Sequence, residues 1–223
     1  MIFLNFHELL FLQKNLYQQE VKQNRLIMLL LLLIVALASF MAYRGMSGRK
    51  RFKKIAEFDQ LTGISNRYHF NNLAKVALDY CELNTKPAAL ILFDLDYFKT
   101  INDNYGHASG DWALQQVVKT CRNFMRNNDV FGRIGGEEFA LVVEQVTPAQ
   151  LTAIATQLCY LVEQLNIPHQ VSPLAVVTIS IGSVFLPLDK ISGFKMADVL
   201  RRADVCLYRA KDKGRNRVEV EVI

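Results

Sequence analysis

Two pairs of acidic residues in this sequence have the type and spacing of ligands for a divalent cation. Asp94 and Asp96 lie at the end of an apolar run, AALILFDL (88–95), and Glu137 and Glu138 directly follow two glycines. A continuous apolar run of this length predicts a strand buried on both faces, and ligands of open α/β sheets commonly bind at the carboxyl ends of strands. Carboxylates held together repel one another unless a cation neutralises them, and their hard oxygens favour Mg²⁺. We therefore predict a magnesium site suited to phosphoryl transfer with two ions; for either pair alone, simple solvation at a strand end is the alternative.

Groups suited to a guanine nucleotide accompany these acidic pairs. The segment FKTINDNYGHASGD (98–111) concentrates amide, carboxylate and ammonium groups in a short, turn-rich span. An Asn amide and an Asp carboxylate can together recognise guanine, because the carboxylate accepts from N1–H and the exocyclic amine, a donor pair that adenine lacks. Lys211 and Arg215 are four residues apart and could neutralise phosphate, while Gly135 and Gly136 allow a backbone to approach phosphate closely. These groups together predict an enzyme that uses Mg·GTP.

The elements that would position these groups alternate between helices and strands. Apolar residues recur at helical spacing in some segments and form strand-length runs in others. Gly135 and Gly136 between two such runs are the strongest hairpin signal in the chain, so we predict a mixed sheet with an antiparallel element in an α/β (α+β) domain. The predicted order is a helix over 67–81, a strand over 88–95, a short helix over 97–104, a helix over 109–126, strands over 130–134 and 137–144, a helix over 148–165, a strand over 176–186, a helix over 196–213 and a strand over 217–222.

Helical spacing also predicts which side chains face the core. Asp111 is expected in the first turn of its helix, where a negative charge complements the helix dipole. We expect Trp112 to be a core residue rather than a platform for stacking a base. The predicted core-facing residues are Phe70, Leu73, Val76, Ala77 and Tyr80 in the first of these helices and Leu114, Val117, Val118, Cys121 and Phe124 in the helix over 109–126.

Composition and charge exclude several classes of protein. The chain has 223 residues, 51% of them apolar and 21% charged, which argues against a disordered or fibrous protein. The net charge of +5 divides into +7 for residues 1–54 and −2 for residues 55–223, so the globular part offers no basic groove for a nucleic-acid polymer. No Walker-type loop, dinucleotide-binding glycine fingerprint or nucleophile elbow occurs. The four cysteines are far apart in sequence and are expected to be reduced and mostly buried.

An uncharged apolar run, LIMLLLLLIVALASFMAY (26–43), lies near the start of the chain. At a rise of about 1.5 Å per residue this run reaches about 27 Å as a helix, close to the thickness of a bilayer core. A secretory signal peptide is the competing interpretation, but Tyr43-Arg44 offers no small-residue cleavage site. Six Lys or Arg residues within 44–54 follow the run, so the positive-inside bias predicts a single span with its C-terminal side in the cytoplasm. The predicted parts are a short N-terminal segment (1–25), a transmembrane helix (26–43), a basic juxtamembrane helix (44–58) and a catalytic domain (59–223).

Four blocks of sequence, in order, resemble the signature of GGDEF-domain diguanylate cyclases in the variant with two glutamates. They are DQLTGISNR (59–67), FDLDYFKTINDNYGHASGD (93–111), RIGGEEF (133–139) and YRAKDKGRN (208–216). The resemblance covers about residues 57–222, and four blocks in order are far more specific than the GGEEF pentad alone. It implies a palm-like βααββαβ core that converts two GTP into cyclic di-GMP and two pyrophosphates, at the inner membrane of a bacterial cell.

The resemblance also implies a role for each matching residue. Two Mg²⁺ ions per half-site are implied, with Mn²⁺ as an alternative, and Glu137 is also the candidate acceptor of the proton from the attacking 3′-hydroxyl. A metal-bound carboxylate is a weak base, which makes this second role harder to defend. The implied roles are metal binding by Asp94, the backbone carbonyl of Leu95 and Glu137; charge stabilisation by Lys99; guanine binding by Asn102 and Asp111; substrate positioning by Phe98, His107, Gly135 and Gly136; and binding of the terminal phosphates by Lys211 and Arg215.

Arg126-Asn127-Asn128-Asp129 matches the RxxD pattern of the family's product-inhibition site. The bare pattern is common, and its position five residues before Gly135 carries the inference; a helix-end ion pair is the alternative. Since one domain would hold one GTP, closing the ring requires two domains, and we expect a homodimer. Three alternatives remain: a catalytically silent receptor for cyclic di-GMP or GTP, another nucleotidyl cyclase, and a dimerising membrane adaptor.

Overall fold

The structure is a computed structural model that describes residues 6–187 and 195–223, with side chains described for 8–41, 57–187 and 195–223. The chain separates into two compact units, Met1–Lys53 and Lys54–Ile223. The first five residues of the predicted N-terminal segment, and the side chains of the predicted basic cluster at 44–54, lie outside the described part.

A single long helix, α1 (Phe6–Glu57), begins the described chain. Its stretch Glu8–Met41 is long and apolar enough to cross a membrane, judged by length and composition. The large apolar side chains from Leu26 to Met41 are all more than half exposed in the chain by itself. Side chains of this kind on every face of a helix suit a lipid environment.

The second unit is built on a six-stranded sheet flanked by helices. Its elements are β1 (Ser65–Asn66), α2 (Arg67–Leu83), β2 (Ala88–Leu95), α3 (Phe98–Tyr105), α4 (His107–Phe124), β3 (Val130–Arg133), β4 (Glu138–Glu144), α5 (Pro148–Glu163), β5 (Ile179–Leu186), α6 (Met196–Asp212) and β6 (Val218–Val222). The strand order in the sheet is β1-β3-β4-β2-β5-β6. Strand β2 is antiparallel to both β4 and β5, while β1–β3 and β5–β6 are parallel pairs. The predicted mixed sheet and the βααββαβ order are therefore confirmed.

Strand β2 forms the centre of the domain and is buried on both faces, as its unbroken apolar sequence predicts. Successive side chains of a strand point to opposite faces. Ala89, Ile91, Phe93 and Leu95 accordingly pack in the cluster that includes residues of α3, α4 and α5. Ala88, Leu90 and Leu92 pack in the cluster that includes residues of α2 and α6. The same alternation places the next even-numbered side chain, Asp94, on the side of α6.

Several boundaries and orientations differ from the sequence prediction. Helix α4 begins at His107, so Asp111 lies beyond its first turn. The two-residue strand β1 has too little apolar pattern to be predicted, and β5 begins at Ile179 rather than 176. Trp112 is 51% exposed and is not a core residue.

The buried face of α2 is also rotated from the prediction. Phe70, Ala74, Ala77 and Cys81 are buried, whereas Leu73, Val76, Tyr80 and, on α4, Phe124 are exposed. Phe70 and Ala77 face the core as predicted, and the small side chains of Ala74 and Ala77 let the helix approach the sheet closely, which turns Leu73, Val76 and Tyr80 outward. All four cysteines are buried and unpaired, as expected.

Candidate active site

Asp94 is the buried carboxylate at the centre of the site. It is 4% exposed and lies at the end of β2, opposite Glu138 of β4. Helix α6 brings Lys211 to it, and the distance from Lys211 Nζ to Asp94 Oδ1 is 2.9 Å. A buried carboxylate is costly unless a cation or several donors compensate it, and Lys211 supplies that charge in the metal-free chain.

The turn between β3 and β4 brings the second acidic pair to Asp94. The predicted hairpin is confirmed, but its connection comprises four residues, 134–137, rather than the two glycines alone. Ile134 N–H and Gly135 N–H both donate to the carbonyl of Glu138, at 2.9 and 3.3 Å. A side chain at Gly135 would collide with that of Glu138, whereas Gly136 is open to solvent.

Arg133 anchors this turn, although the sequence assigned it no role. Its Nε donates to the carbonyl of Gly136 at 3.0 Å, and its Nη1 donates to Asp59 Oδ1 at 3.0 Å. The same Asp59 oxygen accepts from the backbone and hydroxyl of Thr62. Burial raises the pKa of Asp59, but its bonds to Thr62 and Arg133 outweigh that effect and leave the pKa below its usual value. The first signature block therefore braces the third, a link between distant residues that spacing could not reveal.

Burial and mutual repulsion raise the pKa of two carboxyl groups in the acidic cluster. Burial raises the pKa of Asp94 to about 6; Lys211 opposes the rise, and the charges of Glu137 and Glu138 add to it. Burial also raises the pKa of Glu137, with Lys211 opposing and Glu138 adding. Three carboxylates facing one ammonium group leave an excess of negative charge, which is the electrostatic condition for binding a further cation.

The donor set at this edge fits Mg²⁺ that is shared with a substrate. Within residues 6–187 and 195–223, no three His, Cys, Asp or Glu side chains converge as a complete metal site. Mg²⁺ is ordinarily held by one or two carboxylates together with substrate phosphates and water. The backbone N–H of Leu95 donates to the carbonyl of Glu137 at 3.4 Å, so the loop and the strand end that carry the predicted ligands Asp94, Leu95 and Glu137 are adjacent.

Helices α3 and α4 bring together the residues predicted to bind guanine. Asn102 lies against Gly110 so closely that a Cβ at Gly110 would collide with the Asn102 amide and touch the Phe98 ring. Asp111 follows Gly110 directly and is exposed. Because Gly110 has no side chain, the Asn102 amide packs directly against it, one position before Asp111. His107, the first residue of α4, and Lys99 on α3 are both exposed.

Arg215 lies just beyond α6 and packs on Tyr97. Its guanidinium carbon is 4.4 Å from the centre of the Tyr97 ring, and its Nη1 is 3.4 Å from the Tyr97 hydroxyl oxygen. Cations over aromatic faces are attracted by the ring quadrupole. Tyr97 has a left-handed backbone, with φ of 57°, and its role was not predicted because nothing in its sequence spacing pairs it with a residue 118 positions away.

The RxxD segment lies at the other end of β3 from the glycine turn. Arg126 N–H donates to Asp129 Oδ2 at 2.8 Å, and Asp129 N–H donates to the Arg126 carbonyl at 3.1 Å. The predicted pair thus forms a compact turn through its backbone. A groove of about 420 Å³ runs beside it, lined by Phe58, Leu73, Arg122 and Phe131 among others. The groove and the RxxD turn are thus separated from the acidic edge by the length of β3.

This fold, with its acid-lined sheet edge, agrees with what comparisons with known proteins reveal. The family described as "Diguanylate cyclase, GGDEF domain" matches residues 56–217. The chain belongs to this family.

Among its relatives is the probable diguanylate cyclase DgcC of Escherichia coli strain K12, 35% identical over 176 residues, which are 77% of this chain and 45% of that protein. The chain thus spans less than half the length of that relative. The coiled coil and GGDEF domain of DgcB from Caulobacter crescentus, solved with cyclic di-GMP, shares the fold with a TM-score of 0.75 at 24% identity, over 84% of this chain and 97% of that one. The GGDEF domain of DgcB alone, also solved with cyclic di-GMP, gives 0.67 at 28% identity, over 74% and 95%.

Asp94 should make the metal-free protein less stable as the pH rises. Its pKa is about 6 in the folded chain and near 3.8 without the fold, so the native state binds its proton more tightly. Proton binding at Asp94 therefore stabilises the folded chain fully below about pH 4. This contribution decreases as the pH rises and is absent above about pH 6, so the free energy of unfolding falls by about 1–3 kcal/mol. We expect Asp94→Asn to equal the wild type near pH 4 and to exceed it at pH 8, in denaturant unfolding of the full chain with EDTA. Asp79→Asn, at an exposed acid of α2, is the control and should follow the wild type. An unchanged pH dependence in Asp94→Asn would contradict this assignment.

Proposed function

We propose that the chain is a diguanylate cyclase that condenses two GTP into cyclic di-GMP and releases two pyrophosphates. The observation that carries the proposal is the cluster of Asp94, Glu137 and Glu138 facing Lys211, in a chain that belongs to the GGDEF family. Retention of these carboxylates and of both glycines favours an enzyme over a catalytically silent receptor or an adaptor.

The residues at the sheet edge would hold the metal and the reacting phosphate. Asp94, the carbonyl of Leu95 and Glu137 are the proposed ligands of two Mg²⁺ per half-site, with Mn²⁺ as an alternative. Bound there, the metal would polarise the α-phosphate and lower the pKa of the 3′-hydroxyl. Lys99 and Lys211 would cover charge on the phosphates, and Arg215 would bind the terminal phosphate through its planar guanidinium.

The same bonds form and break in each of the two steps of the reaction. The 3′-hydroxyl oxygen of one GTP forms a bond to the α-phosphorus of the other, the bond from that phosphorus to the bridging oxygen breaks, and pyrophosphate leaves. Glu137 is the proposed acceptor of the hydroxyl proton. Burial raises the pKa of Glu137, whereas a bound cation would lower it, so this role requires a carboxylate oxygen that the metal does not occupy.

Residues of helices α3 and α4 would recognise guanine. The amide of Asn102 and the carboxylate of Asp111 supply an acceptor and donor set that guanine satisfies and adenine does not. Phe98 and His107 would position the base, and Gly135 and Gly136 would admit the phosphates close to the backbone.

Catalysis would require a homodimer, because each domain offers one guanine site and the ring contains two nucleotides. We further propose that the apolar run 26–43 crosses the bacterial inner membrane once, with the short segment 1–25 outside the cytoplasm. The basic helix 44–58 and the catalytic domain 59–223 would then be cytoplasmic, by the positive-inside bias. The long apolar stretch of α1 supports this arrangement.

Glu137→Gln should abolish most of the activity while leaving the fold intact. We expect the full chain in detergent micelles, given GTP and Mg²⁺, to form cyclic di-GMP measurable by chromatography, and the variant to be at least about 100-fold slower because it loses both a ligand and a base. Glu82→Gln, at an exposed glutamate of α2, is the matched control and should keep full activity. Absence of product from a wild-type preparation verified as dimeric, or full activity in Glu137→Gln, would refute the proposal.

The RxxD turn should mediate inhibition by the product. Arginine binds phosphate or guanine through two parallel hydrogen bonds, so Arg126→Ala should raise the concentration of cyclic di-GMP needed for half inhibition by about 10-fold or more. Lys119→Ala, at an exposed cation of α4, the helix that precedes the turn, should leave inhibition unchanged. Initial rates at increasing product concentration measure both, and an unaltered curve in Arg126→Ala would count against this site.

A further inference from the structure

Asp96 is a buried carboxylate that the reaction outlined above does not use. It is 2% exposed, and its two oxygens accept from three donors. Ser180 Oγ donates to Oδ1 at 2.7 Å, while Thr178 Oγ1 and the backbone N–H of Asn216 donate to Oδ2 at 2.7 and 3.1 Å. Both oxygens are therefore engaged by donors of the protein, which sets Asp96 apart from Asp94, whose carboxylate faces Lys211.

The loop that Asp96 holds has an unfavourable backbone conformation. Gly214, Arg215 and Asn216 all have left-handed φ values, of 111°, 62° and 45°. Residues with a side chain rarely adopt this region, and two in succession require support from their surroundings. The last turn of α6 supports Gly214 and Arg215, whose N–H groups donate to the carbonyls of Lys211 and Ala210 at 3.3 and 3.0 Å. Asn216 is held by Asp96, which accepts from its N–H, and by Glu163 Oε2, which accepts from its Nδ2 at 2.7 Å.

Asp96 is joined to both partners of the contact between Arg215 and Tyr97. Tyr97 is its neighbour in the chain, and Arg215 immediately precedes the Asn216 N–H that Asp96 binds. The guanidinium lies over the Tyr97 ring at 4.4 Å. The carboxylate thus holds the backbone that follows the arginine, and the residue after Asp96 in the chain, Tyr97, carries the ring beneath the guanidinium. Both contacts remove conformational freedom from a long side chain before it meets a ligand.

We propose that Asp96 is a positioning residue for Arg215, holding the 214–216 loop so that the guanidinium is oriented to bind the polyphosphate of a nucleotide. This inference rests on the proposed function only in taking Arg215 as a phosphate ligand. It assigns Asp96 an effect on nucleotide affinity that a purely structural buried carboxylate would not have.

The other donors to Asp96 provide matched controls. Ser180 and Thr178 bind the same carboxylate from β5 and the segment just before it, and among the described residues no hydrogen bond joins either side chain to the 214–216 loop. Ser180→Ala and Thr178→Val each remove one hydrogen bond from Asp96 and leave the bond to Asn216 N–H. If Asp96 acts only through general stability, these variants and Asp96→Ala should affect affinity alike.

A double-mutant cycle on nucleotide affinity tests the inference. The full chain in detergent micelles is titrated calorimetrically with the α,β-methylene analogue of GTP and Mg²⁺, because that analogue lacks the bond that would break. We expect Arg215→Gln and Asp96→Ala each to weaken binding about 10-fold, and Arg215→Gln to cost less than about threefold in the Asp96→Ala background. Ser180→Ala and Thr178→Val should bind within about twofold of the wild type.

Asp96→Asn should restore binding. Its amide oxygen can take the place of Oδ2 and accept from Asn216 N–H, while its NH₂ donates to the Ser180 hydroxyl. Should Asp96→Ala fail to fold, Asp96→Ser replaces it in the cycle, because the shorter side chain keeps a polar group at the buried position but removes the carboxylate oxygen that accepts from Asn216 N–H. The same loss of coupling is expected.

The inference is overturned if Arg215→Gln costs the same with and without Asp96, or if Ser180→Ala weakens binding as much as Asp96→Ala. It is also overturned if Arg215→Gln leaves affinity unchanged. Coupling measured in a chain that makes no cyclic di-GMP would uphold the positioning role and refute the proposed cyclase, so the two failures are distinguishable.

Discussion

The ion pair between Asp94 and Lys211 joins the central strand of the sheet to its last helix, and the acidic edge depends on it. A carboxylate that is 4% exposed, with two glutamates beside it, would be an uncompensated buried charge if no cation were present. The ammonium group of Lys211, at 2.9 Å, meets that need. Three carboxylates beside one ammonium group still leave an excess of negative charge, which favours binding of a further cation.

Two braces keep the remaining groups near this pair. Arg133 fastens the glycine turn to Asp59, which holds Glu137 and Glu138 at the end of β2. Asp96 fastens the loop after α6, which carries Arg215. Both braces pair a charged side chain with backbone groups of a turn, and such bonds fix loop geometry more firmly than contacts between exposed side chains. The cost of this arrangement in stability falls on Asp94, where burial raises the pKa to about 6.

Sequence reasoning found most of the fold because its signals were local. The run at 88–95 coincides with β2, and the glycine pair lies in the β3–β4 turn. The sequence prediction correctly placed Phe70 and Ala77 in the core but also placed Leu73 and Val76 there, whereas Ala74 and Cys81 complete the buried face. Residue type and spacing pointed to Asp94, Glu137, Lys211 and Arg215, and the resemblance supplied the role of each. The braces at Asp59–Arg133 and Asp96–Asn216 were missed, since each joins residues at least 74 positions apart and only the folded chain brings them together.

Divalent-metal binding by the full-length chain tests most directly whether Asp94 and Glu137 form a cation site. Mn²⁺ is titrated in the presence of the α,β-methylene analogue of GTP, and the loss of the free Mn²⁺ signal in electron paramagnetic resonance reports binding. We expect saturable binding to the wild type and at least about 10-fold weaker binding to Asp94→Asn and Glu137→Gln, with Glu82→Gln unchanged. Equal binding by Asp94→Asn and the wild type would contradict the assignment of this sheet edge as the metal site.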